Sequence, residues 1–171
     1  MRIGSGFDAH KFADVSEQGV PSDAGISIKL GGVSVPSEKA ILAHSDGDVI
    51  LHALCDAILG ALALGDIGRH FPDDDEAFKD IDSRTLLRSC VEMIDQRNMT
   101  VVNADITLIA EAPRVAKYVD AMCAVIAEDL GISNDRVNVK ATTTEKMGFI
   151  GRKEGVAAPA VNLCQFVDNL E

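Results

Sequence analysis

Tryptophan is absent from this 171-residue chain, and aromatic residues make up only 4% of it. The hydrophobic residues, 47% of the total, are therefore mainly Ala, Val, Ile and Leu, which suits helices packed closely on a sheet. The chain also lacks a C-x-x-C pair, since each cysteine stands alone in an apolar run. The sequence therefore predicts buried, reduced thiols in a reducing compartment. These thiols are Cys55, Cys90, Cys123 and Cys164.

Basic residues are scarce as well, because 16 Lys and Arg stand against 27 Asp and Glu, for a formal net charge of −11. Nucleic acids and anionic membranes select a basic surface, so neither is expected as a partner. The sequence shows no signal-peptide pattern and no apolar run long enough to span a membrane. We therefore expect one soluble cytoplasmic domain over residues 1–171. A small phosphorylated ligand is compatible with this charge if metal ions supply positive charge.

The most unusual feature is a polar stripe on an apolar segment that is predicted to be a buried helix. Asp48, His52 and Asp56 recur at i, i+4 and i+8, which places them on one side of the helix. Unpaired charge is costly to bury, so a partner must lie against this stripe, and a metal ion is the first candidate. Ser45 is predicted to cap the start of this helix, and Gly65 to end it. Asp46 and Asp48 fall in its first turn, where the ordinary interpretation of both is capping, and for Asp46 this is the favoured one.

A second polar pair lies on the first predicted strand. The period of two along a strand puts Asp8 and His10 side by side, either as metal ligands or as a simple hydrogen-bonded pair. Together with His52 they supply two nitrogens and one carboxylate, the pattern of a catalytic zinc site with an open fourth position. Asp56 would then either hold the second nitrogen of His52 or contact a substrate hydroxyl.

The remaining pattern predicts an α/β (α+β) fold, a mixed four-stranded sheet with helices on one face. No helices remain to cover the other face, so a second subunit is expected there. A separate hairpin is predicted around Gly31 and Gly32. The long predicted strands are residues 1–10, 100–110, 137–141 and 156–167. Further helices are predicted over 83–96 and from Pro113 to 130.

Two other segments have both a functional and an ordinary interpretation. The acidic loop over 65–75 carries Phe71 between turn residues, which favours a functional lid over a solvated loop, although Asp74 alone is best explained as solvated. Thr142, Thr143 and Thr144 end a strand, either as phosphate contacts or as strand-forming residues on an exposed edge.

Four motifs, in order along nearly the whole chain, resemble the 2-C-methyl-D-erythritol 2,4-cyclodiphosphate synthase family. They are Gly6-Phe7-Asp8-Ala9-His10, residues 43–48 with His52, residues 65–73, and residues 139–146. The resemblance implies a homotrimeric lyase of the non-mevalonate isoprenoid pathway with active sites between subunits. In the implied reaction, the 2-phosphate of 4-diphosphocytidyl-2-C-methyl-D-erythritol 2-phosphate attacks its own β-phosphate. The products would be the cyclic diphosphate and CMP.

The resemblance also implies a role for each matching residue. The implied Zn²⁺ ligands are Asp8, His10 and His52. The implied ligand for Mg²⁺ or Mn²⁺ between the α- and β-phosphates is Glu145. The implied transition-state stabilisers are His44 and Thr143. The implied contacts to the phosphate and methylerythritol portions are Ser45, Asp66, Ile67, Gly68, Phe71, Pro72, Asp73, Asp74 and Asp75. Phe149 and Arg152 match further substrate-contacting positions. The implied contacts to the cytidine portion are Ala110, Glu111, Ala112, Pro113, Arg114, Val115, Ala116, Ala141, Thr142 and Thr144.

Two alternatives remain open from the residues alone. The same three ligands would serve a zinc-dependent hydrolase that uses a metal-bound water on a nucleotide diphosphate. They would also serve a non-catalytic trimeric metal-binding protein, although such a protein would need neither Glu145 nor Asp66 nor Thr143.

Overall fold

A computed structural model describes residues 1–13, 25–72 and 74–167 of the chain. Within these residues the strands are β1 (Arg2–Lys11), β2 (Ile26–Leu30), β3 (Val33–Ser37), β4 (Met99–Ile109), β5 (Val137–Thr142) and β6 (Gly155–Phe166). The helices are α1 (Val49–Ala61), the short α2 (Ile67–His70), α3 (Ser83–Asp95), α4 (Val119–Leu130) and the short α5 (Gly148–Gly151).

The main sheet has the predicted four strands, in the order β1-β6-β4-β5. It is mixed, because β4 and β5 run parallel whereas β6 is antiparallel to both β1 and β4. The predicted hairpin forms separately from β2 and β3. Gly31 and Gly32, with φ of 58° and 76°, supply the two left-handed residues that such a two-residue turn requires.

Helix α1 lies at the centre of the molecule and packs against β1, β6 and α3. Every residue of α1 is buried except Asp56 and Gly60. The close approach of α1 to β1 depends on Gly4 and Gly6, since a Cβ at Gly6 would lie 2.0 Å from the carbonyl oxygen of Ala53. This contact fixes the position of the polar residues that follow Gly6 on β1.

The helices cover one face of the sheet, as predicted, and leave the other face exposed. On β1 the exposed face carries Ile3 and Phe7, with 72% and 59% of their surfaces accessible. Val161 on the neighbouring strand β6 lies opposite Ser5 and is exposed on the same face. An apolar sheet face of this kind is a candidate contact surface for another protein chain.

Three predicted helix boundaries are wrong. Helix α1 is capped by Asp48 rather than by Ser45, and it ends at Ala61, before Gly65. The helix predicted to begin at Pro113 begins instead at Val119, after a 3₁₀ turn. The backbone of Ala110 still donates to the carbonyl of Thr142, so the chain stays against β5 beyond the end of β4 and turns into α4 later.

The four cysteines are free and buried, as the sequence predicts. In the part of the chain that the structure describes, no helix combines the length and apolarity that a membrane crossing requires.

Candidate active site

Three side chains from β1 and α1 form a compact cluster, which we call the triad. The residues are Asp8 and His10, on the α1-facing side of β1, and His52, one turn into α1. His52 Nδ1 lies 3.1 Å from Asp8 Oδ2 and 2.9 Å from His10 Nε2. His10 Nε2 lies 3.1 Å from the same Asp8 oxygen. The other oxygen of Asp8 accepts a hydrogen bond from the Ala9 amide at 2.8 Å, which turns Oδ2 towards the two imidazoles.

The donor set and spacing of the triad fit a tetrahedral metal site. Ligands bound to zinc at about 2.0–2.1 Å in a tetrahedral site lie about 3.3 Å apart. The three edges of the triad are 2.9, 3.1 and 3.1 Å, so only a small expansion would admit the ion. Two nitrogens and one carboxylate leave a fourth position for a ligand.

The pKa values of Asp8 and His52 are both shifted in the direction that favours the charged form. Burial raises the pKa of Asp8, but the hydrogen bond from His52 and the charges of both imidazoles outweigh it, and the pKa falls below its usual value. Burial lowers the pKa of His52, but the hydrogen bond to Asp8 and its charge outweigh it, and the pKa rises. The Asp8 carboxylate and the two imidazoles therefore attract one another electrostatically.

The three residues of the predicted stripe have three different partners. Asp48 is fully buried and caps α1, accepting from the amides of Ile50 and Leu51. Its carboxylate also accepts from the amides of Gly31 and Gly32, at 2.8 and 2.6 Å, so it joins the hairpin to α1 rather than facing a metal.

Asp56 does not hold the second nitrogen of His52, which was one of the two predicted roles. Its carboxylate accepts from the amide of Ile67 at 2.7 Å and thereby anchors the start of α2.

The second nitrogen of His52 is held by Ser83, a residue that the sequence analysis missed as a site residue. His52 Nε2 lies 2.8 Å from Ser83 Oγ and 3.2 Å from Ser45 Oγ. The amide of Ser83 donates to Asp46 Oδ2 at 3.2 Å, and its hydroxyl makes a very short hydrogen bond to the other oxygen of Asp46. A serine directly after an acidic N-cap predicts a helix start, and nothing local in the sequence links it to His52.

A cleft of about 310 Å³ opens beside the triad. His44 and Ser45 line it, next to Asp8, His10 and His52. Among the described residues, His44 Nε2 is buried and has no hydrogen-bond partner. A buried ring nitrogen without a partner is costly in an isolated protein, so its position beside the cleft points to a ligand group that completes it.

The predicted lid forms part of the wall of this cleft. Ile67, Gly68 and Phe71 line it, together with apolar residues that the sequence analysis did not select. Those apolar residues are Leu42, Phe78, Ile81 and Leu86.

The described acidic residues of the lid are not part of the cleft wall. Asp66 caps α2 by accepting from the amide of Arg69 at 3.0 Å. Pro72, Asp74 and Asp75 are not among the lining residues, and Asp74 and Asp75 are exposed. Asp73 lies outside the described residues.

A second cleft, of about 650 Å³, lies at the opposite edge of the sheet. It brings together the two segments predicted to hold the cytidine portion. The predicted residues in its lining are Ala110, Glu111, Pro113, Arg114, Val115, Ala116, Ala141, Thr142 and Thr143. Ala112 and Thr144 belong to the same two segments but are not part of the lining.

Glu111, which lines this cleft, fixes the turn that follows β5 through hydrogen bonds. Its carboxylate accepts from the amides of Thr144 and Lys146, at 3.1 and 3.0 Å. These hydrogen bonds, first that of Lys146, lower the pKa of Glu111. The turn contains Glu145 and Lys146 with φ of 53° and 65°, and the Thr143 hydroxyl donates to Glu145 at 2.9 Å. Glu145 is thus an exposed carboxylate in a fixed position.

Phe149 and Arg152 lie at a third place. Phe149 lines a shallow cavity of about 280 Å³ with His10, Lys11 and Glu154. Arg152 pairs with Glu154 at 2.7 Å. The structure therefore distributes the predicted site residues over three surfaces of a single chain.

Comparison with known proteins agrees with this arrangement. The YgbB family model matches residues 1–165. The chain is 55% identical over 163 residues to 2-C-methyl-D-erythritol 2,4-cyclodiphosphate synthase of Aliivibrio fischeri, covering 95% of this chain and 97% of that protein.

Two solved structures share the fold at substantial identity. The bifunctional IspDF from Campylobacter jejuni has a TM-score of 0.86 and 40% identity, and the match covers 96% of this chain but only 42% of that one. IspF from Plasmodium falciparum, solved as a CDP complex, has a TM-score of 0.78 and 34% identity, with 95% and 94% of the two chains covered. With a family model that spans 165 residues and relatives 55% identical, this chain belongs to the YgbB family, a family of 2-C-methyl-D-erythritol 2,4-cyclodiphosphate synthases.

Proposed function

We propose that this chain converts 4-diphosphocytidyl-2-C-methyl-D-erythritol 2-phosphate into 2-C-methyl-D-erythritol 2,4-cyclodiphosphate and CMP. The observation that supports this most is the preformed triad beside a cleft that His44, with its unpartnered ring nitrogen, helps to line. The test is product analysis, in which cyclic diphosphate and CMP should appear in equal amounts. Four buried free thiols favour a reducing compartment, so we place the reaction in the cytoplasm.

We propose two cation sites on the residues present. Asp8, His10 and His52 would hold Zn²⁺, and Glu145 would hold Mg²⁺ or Mn²⁺ at the diphosphate. When bound, such ions supply positive charge that offsets the repulsion between the two phosphates and polarises the attacked phosphorus. A chain with a net charge of −11 needs these ions to bind so anionic a substrate.

The role of the protein is to orient the substrate and to stabilise the transition state, because the substrate carries its own nucleophile. An oxygen of the 2-phosphate forms a bond to the β-phosphorus while the bond from that phosphorus to the CMP oxygen breaks. His44 and Ser45 would donate hydrogen bonds to the phosphate oxygens on which charge develops, and Thr143 would act beside them by holding the Glu145 carboxylate with its hydroxyl. Ile67, Gly68 and Phe71 would hold the methylerythritol portion, and the cleft along residues 110–116 and 141–143 the cytidine.

The position of the two clefts supports the proposal that a second copy of the chain completes each site. Two of the triad residues lie on β1, and the cytidine cleft lies beside β5. These are the two outer strands of the sheet. Three interstrand steps of about 4.8 Å separate such strands by about 14 Å. We propose a homotrimer in which the exposed sheet faces of the subunits pack against one another. The cytidine cleft of one subunit would then lie next to the triad of its neighbour.

Phe7→Asp tests this assembly. Phe7 is 59% exposed on the uncovered sheet face, so a charge there should prevent association without disturbing α1. We expect smaller particles in sedimentation velocity and turnover reduced at least about 100-fold, with zinc still bound because the triad lies within one chain. Ala124→Asp, on the exposed side of α4, is the control and should leave assembly intact. An active Phe7→Asp monomer would contradict the shared site.

Glu145→Gln tests the second cation site. The change keeps the side-chain shape and one oxygen for the Thr143 hydroxyl, but it removes the negative charge that binds a hard divalent ion. The Mg²⁺ concentration for half-maximal rate should rise about tenfold or more, about 1.4 kcal/mol, with zinc content unchanged. Glu92→Gln, exposed on α3, is the matched control. A Mg²⁺ titration that is the same in Glu145→Gln as in the parent would remove Glu145 from this role.

A further inference from the structure

The Asp46–Ser83 pair stands behind His52, on the side away from the other two triad residues. Its atoms form an unbroken path: Asp46 Oδ1, Ser83 Oγ, His52 Nε2 and, across the imidazole, His52 Nδ1 in the triad. Ser83 is fully buried and His52 is 8% exposed, so bulk water does not compete for these hydrogen bonds.

The direction of each hydrogen bond along this path follows from the chemistry of its first member. An ionised carboxylate can only accept hydrogen bonds, so Ser83 must direct its single hydroxyl proton to Asp46. The Ser83 oxygen can then only accept from His52. Nε2 of His52 must therefore carry the hydrogen, so a neutral His52 would offer the lone pair of Nδ1 to a metal ion bound with Asp8 and His10.

We infer that Asp46 and Ser83 are positioning residues that fix the tautomer and the ring orientation of His52 for the metal. The inference rests on the proposed function, because it assumes that the triad holds zinc. Ser45 does not replace this pair, since its contact to Nε2 is longer, at 3.2 Å, and its hydroxyl proton is not directed elsewhere by an observed acceptor. A hydroxyl free to rotate accepts or donates equally and selects neither tautomer.

The start of α3 holds Ser83 rigidly against His52. Asp82 caps the helix by accepting from the amide of Arg84 at 2.9 Å. Arg84 in turn binds Asp129 on α4 at 2.7 Å, and the side chain of Asp129 is 1% exposed. Asp46 receives both the amide and the hydroxyl of Ser83, so neither end of the pair can turn away independently.

Ser83→Ala is the direct test. Loss of a hydrogen-bond partner behind a ligating histidine typically costs about 10–100-fold in metal affinity. We expect a loss of this size in the zinc dissociation constant, measured by competition with a chromophoric chelator. Ser89→Ala, an exposed serine on the same helix whose hydroxyl bonds only its own turn, is the matched control and should bind zinc like the parent.

A second readout separates positioning from a general loss of structure. The chain has four histidines, so ¹⁵N labelling of the imidazoles gives a simple spectrum. In the zinc-loaded parent, His52 should show a protected Nε2–H, and in Ser83→Ala that hydrogen should exchange with water at least about tenfold faster. If Ser83→Ala does not fold, Asp46→Asn serves instead, because an amide can donate to Ser83 and reverse the hydroxyl.

The outcomes separate the two hypotheses. A parent protein that binds no zinc contradicts the proposed metal site itself. A parent that binds zinc, with Ser83→Ala or Asp46→Asn binding equally well and keeping the protected Nε2–H, overturns the positioning role and leaves the proposed function standing.

Discussion

His52→Ala should lose both bound zinc and turnover while the fold remains. His52 supplies one of three ligands, and the remaining Asp8 and His10 form only a weak two-ligand site. A bound ion contributes several kcal/mol of transition-state stabilisation. At about 1.4 kcal/mol per factor of ten, turnover should fall by about 1,000-fold or more. Metal analysis of the purified variant and the rate of CMP release measure both effects.

Two comparisons make this result specific. His70 lies in α2, outside the triad, and its ring bonds the backbone carbonyl of Leu64. The His70→Ala variant should therefore keep its zinc. Circular dichroism should show the parent fold in both variants, since the His52 ring borders an open cleft. A zinc-free His52→Ala protein that turns over at the parental rate would contradict the metal-dependent account.

Gly6→Ala should strongly destabilise the fold. A Cβ at this position would lie 2.0 Å from the carbonyl oxygen of Ala53 and 2.7 Å from the amide nitrogen of Ala57. Both are backbone atoms of α1, so no side chain can move aside, and α1 must shift from β1. We expect at least about 3 kcal/mol of destabilisation, the upper end for overpacking. That corresponds to a fall of about 10 °C in melting temperature for a chain of this size.

The same substitution should also weaken zinc binding, because the triad spans the contact that it separates. Asp8 and His10 belong to β1 and His52 to α1, and their ligand atoms all lie within 4.8 Å of one another. Gly60→Ala is the control on the facing helix, where a Cβ would meet Ser5 at an ordinary 3.6 Å. It should leave zinc binding unchanged and stabilise α1 by about 0.5–1 kcal/mol. If Gly6→Ala has the same melting temperature and zinc affinity as the parent, the close contact between β1 and α1 is not required for either property.

Much of the fold could be predicted because it depends on local periodicity. The alternation along β1 correctly placed Asp8 and His10 on one side, and the Gly31–Gly32 pair correctly indicated the hairpin. The order of predicted strands and helices indicated that the helices cover one face of the sheet, and the exposure of Phe7 on the other face confirms this prediction.

The errors concern partners that are distant along the chain. Asp48 was placed on the stripe expected to face a metal, with capping as its ordinary interpretation, because periodicity gives the side of a helix but not what lies there. The structure shows the cap, and the same carboxylate also binds the hairpin. Ser83 could not be selected, since it lies 31 residues from the imidazole that it contacts. The helix predicted from Pro113 failed because Ala110 remains bonded to β5, a tertiary contact that proline chemistry does not reveal.

The most direct test of the central claim is phosphorus NMR of the purified protein with 4-diphosphocytidyl-2-C-methyl-D-erythritol 2-phosphate, with and without a chelator. We predict two mutually coupled resonances of a cyclic diphosphate together with one equivalent of CMP, and loss of both when the chelator is present. A linear diphosphorylated product with CMP would show that water, rather than the 2-phosphate, attacks. Zinc-loaded, assembled protein that leaves the substrate unchanged would contradict the catalytic account altogether.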